Sequence, residues 1–101
     1  MKLFSTIVLT SVLAVSGQAV AGDAGAGKTA FSAKGCIGCH GAGGVSAIPT
    51  YPSLKGKDAG FIKENLSSFK SGKRQNPTMN AMAAGLSDAD IDNLAAYIGS
   101  L

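Results

Sequence analysis

Large apolar side chains are scarce in this chain once its first 21 residues are set aside. From residue 22 to residue 101 there are only eighteen Val, Ile, Leu, Met, Phe and Tyr residues. Hydrophobic residues make up 46% of the whole chain, but many of them are alanine, which fills little volume. A domain of this size usually needs disulfides, a metal or a cofactor to complete its core. Because two cysteines cannot form a disulfide framework, we expect the core to include a bulky apolar group that is not a side chain.

Length and charge exclude several classes of protein. A chain of 101 residues can form one small domain, which excludes repeat arrays and membrane proteins with several spans. The formal net charge of +3 is small and dispersed along the chain, so no nucleic-acid partner is expected.

The first 21 residues have the features of a secretory signal peptide. Lys2 provides a positive start, residues 3–15 are apolar apart from Ser and Thr, and residues 19–21 form a small-x-small cleavage site. The apolar run is shorter than the roughly 20 residues that a membrane-spanning helix needs. We therefore expect a signal peptide at residues 1–21 and a mature domain at residues 22–101, located in the bacterial periplasm without stable membrane insertion. The alternative is a retained N-terminal anchor.

The mature region contains helical patterns and no alternating segment of strand length, which predicts an all-α fold. Glycine and proline are concentrated in residues 35–56, where we expect a loop. The predicted helices occupy residues 24–34, the segment between the cap Asp58 and Gly72, a short turn at residues 79–84, and the segment after the cap Ser87. A second loop is expected at residues 74–77.

Residues Gly22–Thr29 match the phosphate-binding pattern G-x-x-x-x-G-K-[ST]. That loop binds phosphate when a β-strand precedes it and a helix follows it within a parallel sheet. Here the preceding apolar run is the signal peptide, and no second strand follows. Nucleotide binding at this segment is therefore rejected, and we interpret the segment as a small-residue lead into the first helix.

The motif that carries chemistry is C-x-x-C-H, formed by Cys36, Cys39 and His40. As a dithiol of the thioredoxin type it would need a βαβ context, and as a zinc site it would need two further Cys or His ligands that the chain lacks. Two thiols at this spacing can add to the two vinyl groups of one porphyrin, and the adjacent imidazole can then ligate the iron. The motif therefore predicts one covalently attached haem c, which would supply the missing core volume.

From about Gly27 to Ile98 the chain resembles the class I c-type cytochromes, specifically the small bacterial periplasmic kind, and it is similar to one half of the dihaem members. The residues that carry this resemblance are Gly27, Phe31, the run Cys36–Gly41, Pro52–Gly56, Phe69–Arg74, Met79 with Leu86, and Leu94–Ile98. The resemblance implies three to five short helices wrapped around the haem. It also implies that the first and last helices cross, with Gly27 and Phe31 packed against Leu94 and Tyr97.

The same resemblance implies roles for residues in the glycine-rich segment. The backbone carbonyl of Pro52 would accept a hydrogen bond from the His40 ring, and Leu54 would pack on the haem; Pro49 is the alternative to Pro52. Such a bond would fix the imidazole tautomer and raise its basicity. The chain has no Trp near a haem propionate, so the candidate contacts there are Arg74, Lys57 and Tyr51.

Two methionines can supply a sixth iron ligand, since Met1 is lost with the signal peptide. Met79 and Met82 lie three residues apart, so both could face the haem if the segment is helical. The spacing in the family favours Met79, borne on the loop after Pro77, whereas Met82 is expected to be a core side chain.

A histidine–methionine pair fills both axial positions of the iron, which favours one-electron transfer over chemistry on a substrate. We therefore predict a periplasmic electron carrier between respiratory-chain donors and an oxidase or reductase, with periplasmic or membrane redox proteins as partners. No catalytic triad and no spare histidine for a catalytic base are present, so the protein is not expected to be an enzyme. The alternatives are a dedicated electron-transfer subunit of a periplasmic dehydrogenase and, more distantly, a five-coordinate haem that senses gas or acts as a peroxidase.

Overall fold

Five α-helices lie within residues 22–101, the part of the chain that the computed structural model describes. They are α1 (Ala24–Ala33), α2 (Cys36–His40), α3 (Ala59–Ser71), α4 (Pro77–Ala84) and α5 (Asp88–Gly99), with a short 3-10 turn at Ala42–Gly44 between α2 and α3. The predicted all-α fold is confirmed. The predicted signal peptide lies outside the described residues, and none of the helices in residues 22–101 has the length and apolar content needed to cross a bilayer.

Polar side chains cap α1, α3, α4 and α5 at their N-termini, and Asn76 is the cap of α4. Asp23 accepts hydrogen bonds from the first turn of α1, and Asp58 accepts one from the first turn of α3. Ser87 and Asp90 form a capping box at the start of α5, in which each side chain accepts from the other residue's backbone N–H at 3.0 Å. The bond from the Ser87 N–H lowers the pKa of the Asp90 carboxyl, because it stabilises the charged form.

The first and last helices cross at Gly27, as predicted. A Cβ atom on Gly27 would lie 1.9 Å from the carbonyl oxygen of Asn93, so only glycine allows the two backbones to come this close. Phe31 packs beside this crossing with its ring centroid 5.5 Å from that of Tyr97, and it is 1% exposed. Leu94 is equally buried on the α5 side. The crossing therefore holds the two ends of the described chain together.

Replacing Gly27 with alanine should destabilise the protein strongly. Overpacking in a core costs about 1–3 kcal/mol, and here the atoms that would have to move are backbone atoms of α5, so we expect the upper part of that range. Denaturant unfolding of the haem-loaded protein would measure the loss. The matched control is Gly85→Ala, because a Cβ there would lie 3.7 Å from its nearest neighbour at an ordinary φ of −82°. Equal stability of the two variants would contradict the close crossing.

The apolar core lies where α5 packs against both α1 and α3, and where α3 packs against α4. Its buried side chains are Phe31, Ile62, Phe69, Ala83, Leu86, Ile91, Leu94, Ala95 and Ile98. Cys36, Leu54 and Met79 are half-buried and pack against this cluster, although they come from three separate segments. The core therefore brings together parts of the chain that carry three of the predicted site residues.

Two boundaries differ from the sequence prediction. The expected loop at residues 35–56 begins with helix α2, whose flanking residues Gly35 and Gly41 adopt φ of 81° and 82°. These glycines start and stop a five-residue helix, so their abundance does not imply an irregular backbone there. Helix α4 begins at Pro77 rather than near Met79, because Asn76 caps the helix and proline suits its first position.

Candidate functional site

Helix α2 presents the three residues of the C-x-x-C-H motif. Cys36 and Cys39 are free, half-buried thiols three residues apart, a spacing that puts them on one side of the helical turn. A Cβ on Gly41 would lie 1.9 Å from the carbonyl oxygen of Val45, so the chain after His40 turns back tightly. This turn starts the segment that returns over the histidine.

The Cys36 thiol is half-buried. Burial is the largest influence on this group, and it raises the pKa of the thiol above its ordinary value, since a thiolate is poorly solvated there. Burial therefore disfavours the thiolate, which is the reactive form of cysteine.

His40 is buried, and one nitrogen of its ring has a backbone partner. Its Nδ1 lies 2.8 Å from the carbonyl oxygen of Pro52, which can only accept, so Nδ1 carries the proton. Among the described residues Nε2 has no hydrogen-bond partner, and in this tautomer it holds a lone pair. The ring is therefore oriented with one nitrogen available to a metal. Pro52, and not Pro49, provides the carbonyl contact.

The segment that carries Pro52 is held in part by the backbone carbonyl of Gly44. The oxygen of Gly44 accepts from the N–H groups of Leu54 at 2.7 Å and Lys55 at 3.1 Å. Gly44 is buried with a φ of 73°, a left-handed conformation that favours glycine. Sequence analysis did not identify Gly44 as a site residue. Its position between the motif and the proline segment is the signal that could have suggested it.

Helix α4 passes over the start of the motif. A Cβ on Gly35 would lie 3.5 Å from the terminal methyl carbon of Met82, so Met82 covers the residue before Cys36. Met82 is 37% exposed on the polypeptide, so its role as a core side chain beside the haem stays a prediction. Met79, one turn earlier, is half-buried against the core. It lies in the first turn of the helix and not on a loop, since its N–H donates to the Asn76 cap at 3.0 Å.

Exposed apolar side chains cluster on the segments that carry the motif and the methionines. Large apolar side chains that stay exposed in the described chain are Ile37, Val45, Ile48, Tyr51, Phe61 and Met82. All but Phe61 lie in residues 37–51 or on α4. The distribution fits a bulky apolar group seated between the motif and α4.

The three candidate contacts for a haem propionate have separate surroundings. Tyr51 is 38% exposed in the segment between α2 and α3. The Lys57 ammonium lies 5.6 Å from the ring centroid of Phe61. The Arg74 guanidinium lies 4.8 Å from the ring centroid of Phe69 and donates to the side chain of Asn65.

The segment that matches the phosphate-binding pattern is used for packing and capping. Its backbone N–H groups at Gly25 and Ala26 donate to the Asp23 carboxylate, which occupies the place an anion would take. A Cβ on Gly22 would lie 2.2 Å from the backbone of Asp92, so this glycine sits tightly against α5. The geometry agrees with the interpretation that this segment leads into α1.

A family model described as Cytochrome c matches residues 24–101, nearly the whole of the described chain. The chain belongs to the cytochrome c family. Cytochrome c-554(548) of Halomonas halodenitrificans is 39% identical over 83 residues, which cover 79% of this chain and 98% of that relative. Cytochrome c4 of Pseudomonas aeruginosa is 38% identical over 100 residues, which cover 98% of this chain and 48% of that relative.

Solved structures show the same likeness. Cytochrome c4 of Acidithiobacillus ferrooxidans aligns with a TM-score of 0.70 and 35% identity, covering 77% of this chain and 49% of that one. This member of the cytochrome c family therefore spans nearly all of the c-554 relative and about half the length of the cytochrome c4 relatives.

Membership of the family establishes the cofactor and the general activity. Haem c is attached covalently to this protein through Cys36 and Cys39. The cytochromes that it resembles are electron-transfer proteins and not enzymes, and electron transfer is the activity of this chain as well.

Proposed function

We propose that this cytochrome is a one-electron carrier of the bacterial periplasm whose haem iron is ligated by His40 and Met79. In this proposal residues 1–21 are a signal peptide and residues 22–101 are the mature carrier. Pro52 orients the histidine, and Leu54 packs on the haem. The carrier passes electrons between respiratory-chain donors and an oxidase or reductase.

The observation that carries the proposal is the juxtaposition of α4 with the C-x-x-C-H motif. The Met82 methyl covers Gly35, and Met79 packs against the same core cluster as Cys36. A thioether and an imidazole can thus approach one haem from two segments. When bound, the haem supplies an iron that changes between two oxidation states, and thioether ligation in an apolar site favours the ferrous state. The chain's own role is to hold both ligands in place, so that the electron moves with little rearrangement.

A second candidate function has support from one comparison. A relative from Stutzerimonas stutzeri named "Thiosulfate dehydrogenase electron acceptor" is 38% identical over 89 residues, which cover 87% of this chain and 40% of that relative. The name of this relative describes it as the electron acceptor of a dehydrogenase, and this supports the alternative that the present chain is a dedicated electron-transfer subunit. In that case this chain would remain associated with a larger oxidoreductase instead of moving between partners.

Periplasmic extraction should release the protein with Gly22 as its first residue and one haem attached. The cleavage pattern at residues 19–21 and the short apolar run are the physical reasons. Intact mass spectrometry, together with spectra of the oxidised and reduced protein, would measure the processed mass and the haem. Membrane-bound protein that retains Met1 would contradict the signal peptide, and a mass without haem would contradict the cofactor.

The same preparation separates the two candidate functions. A carrier should elute alone from a sizing column and should exchange electrons with more than one donor. A dedicated subunit should co-elute with a larger chain and should be reduced rapidly only in the presence of that enzyme's substrate.

A further inference from the structure

Asn80 follows Met79 directly, and its side-chain amide contacts three backbone groups. Its Nδ2 donates to the carbonyl oxygen of Phe69 at 2.8 Å and to that of Arg74 at 2.9 Å. Its Oδ1 accepts from the N–H of Asn76 at 2.8 Å. An amide has two N–H donors and one carbonyl acceptor, so both donors and the acceptor are engaged.

The three partners span the connection between α3 and α4. Phe69 lies in the last turn of α3, Arg74 lies in the connection, and Asn76 is the N-cap of α4. The carbonyl groups at the end of a helix lack partners within it, and the Asn80 amide supplies one to Phe69. One side chain thus ties the end of α3 and the whole connection to the first turn of α4.

Loss of this amide would remove the hydrogen-bond partner that the structure shows for the Arg74 carbonyl and for the Asn76 N–H. It would leave the Phe69 carbonyl with only the Gly72 N–H, at 3.3 Å. Asn80 is half-buried, and its bond to Phe69 is partly buried, so the Phe69 carbonyl would lose a partner that water replaces poorly. The Asn76 cap also accepts from the Met79 N–H, so a shift of Asn76 would be transmitted to Met79.

We infer that Asn80 is a positioning residue for Met79. The Asn80 side chain holds the first turn of α4 at a fixed place relative to α3. This inference rests on the proposed function, because it takes Met79 as the iron ligand. Asn80 does not contact the iron in this scheme. It determines how firmly the thioether stays in place, and therefore how readily another ligand displaces it.

The test uses the haem-loaded mature protein and two substitutions. Asn80→Ala removes the whole amide, whereas Asn80→Asp retains an acceptor for the Asn76 N–H and loses both donors. The matched control is Asn93→Ala, because the Asn93 side chain also accepts from a backbone N–H, that of Asp23 at 2.8 Å, in the crossing of α1 and α5.

Both Asn80 variants should bind carbon monoxide in the ferrous state about 10- to 100-fold more tightly than the parent, the range typical when a partner that orients a metal ligand is lost. Their reduction potential should fall, and the near-infrared charge-transfer band of methionine-ligated ferric haem should weaken. Asn93→Ala should lower the unfolding midpoint while leaving carbon monoxide affinity, potential and band unchanged. All measurements are made well below the unfolding midpoint of each variant.

The outcomes separate this inference from the proposed function. If Met79→Ala opens the iron while both Asn80 variants bind carbon monoxide as weakly as the parent, the inference is overturned and the ligand assignment stands. If Met79→Ala itself leaves carbon monoxide binding unchanged, the proposed ligation fails. Should Asn80→Ala and Asn80→Asp not yield folded protein, Asn80→Ser, which retains one donor, replaces them. Asn80→Ser should give a smaller gain in carbon monoxide affinity than the other two substitutions. If its carbon monoxide affinity equals that of the parent protein, the inference is overturned.

Discussion

Replacement of Met79 with alanine is expected to open one side of the haem iron and to lower the reduction potential. Since a thioether ligand stabilises the ferrous state, its loss should lower the potential by on the order of 0.1 V. The reduced variant should bind carbon monoxide, whereas the parent protein, with both axial positions filled, should bind it weakly or not at all. Potentiometric titration and carbon monoxide difference spectra measure the two effects.

Met82→Ala is the matched control for this experiment, because it removes the same side chain one turn later on α4. Met82 is 37% exposed on the polypeptide and is expected to pack beside the haem, so its truncation should mainly cost stability, about 2–5 kcal/mol if the haem buries it fully. It should leave the potential and carbon monoxide binding nearly unchanged. If only Met82→Ala opened the iron, the two assignments would be exchanged. If neither variant did, the carrier mechanism would be wrong.

Replacement of both Cys36 and Cys39 with serine should leave a chain that fails to accumulate as a folded protein. Of the nine buried hydrophobic residues in the core, two are alanines, Ala83 and Ala95. Six large apolar side chains, including Val45 at 54% and Ile48 at 45%, stay exposed on the polypeptide alone. A domain of this size has a small free energy of unfolding, so we expect folding to depend on the attached haem.

Periplasmic yield and far-ultraviolet circular dichroism would measure this dependence. The control is Cys39→Ser alone, which retains one thiol for attachment and should give haem protein at reduced yield. A double variant that accumulates as a stable, helical, haem-free protein would show that the side chains by themselves provide a sufficient core.

Local chemistry made much of this protein predictable from its sequence. The C-x-x-C-H motif is contiguous, so the positions of both thiols and of the imidazole follow from a few adjacent residues. Helix starts were likewise predictable where a side chain caps a nearby backbone N–H, as at Asp58 and Ser87. The close crossing at Gly27 was indicated by the family resemblance, and the structure confirms it.

A high density of glycine does not indicate irregular backbone at the start of residues 35–56. Gly35 and Gly41 bound a short helix, since each adopts a left-handed φ where the chain enters or leaves it. Helix α4 starts before the predicted position at Met79, because Asn76 caps the helix and Pro77 occupies its first position.

The contacts between segments were decided only by the tertiary structure. In the sequence, the carbonyl of either Pro49 or Pro52 could accept the hydrogen bond from the His40 ring. The Pro52 carbonyl does so in the structure, where the Gly44 carbonyl binds the N–H groups of Leu54 and Lys55 just after Pro52. The burial of Met79, the exposure of Met82 and the three bonds of Asn80 depend on how α4 packs against α3 and the motif. Sequence spacing determines local chemistry and helix starts, because their partners lie within a few residues along the chain. Contacts between residues far apart in the sequence depend on packing, which only the folded chain determines.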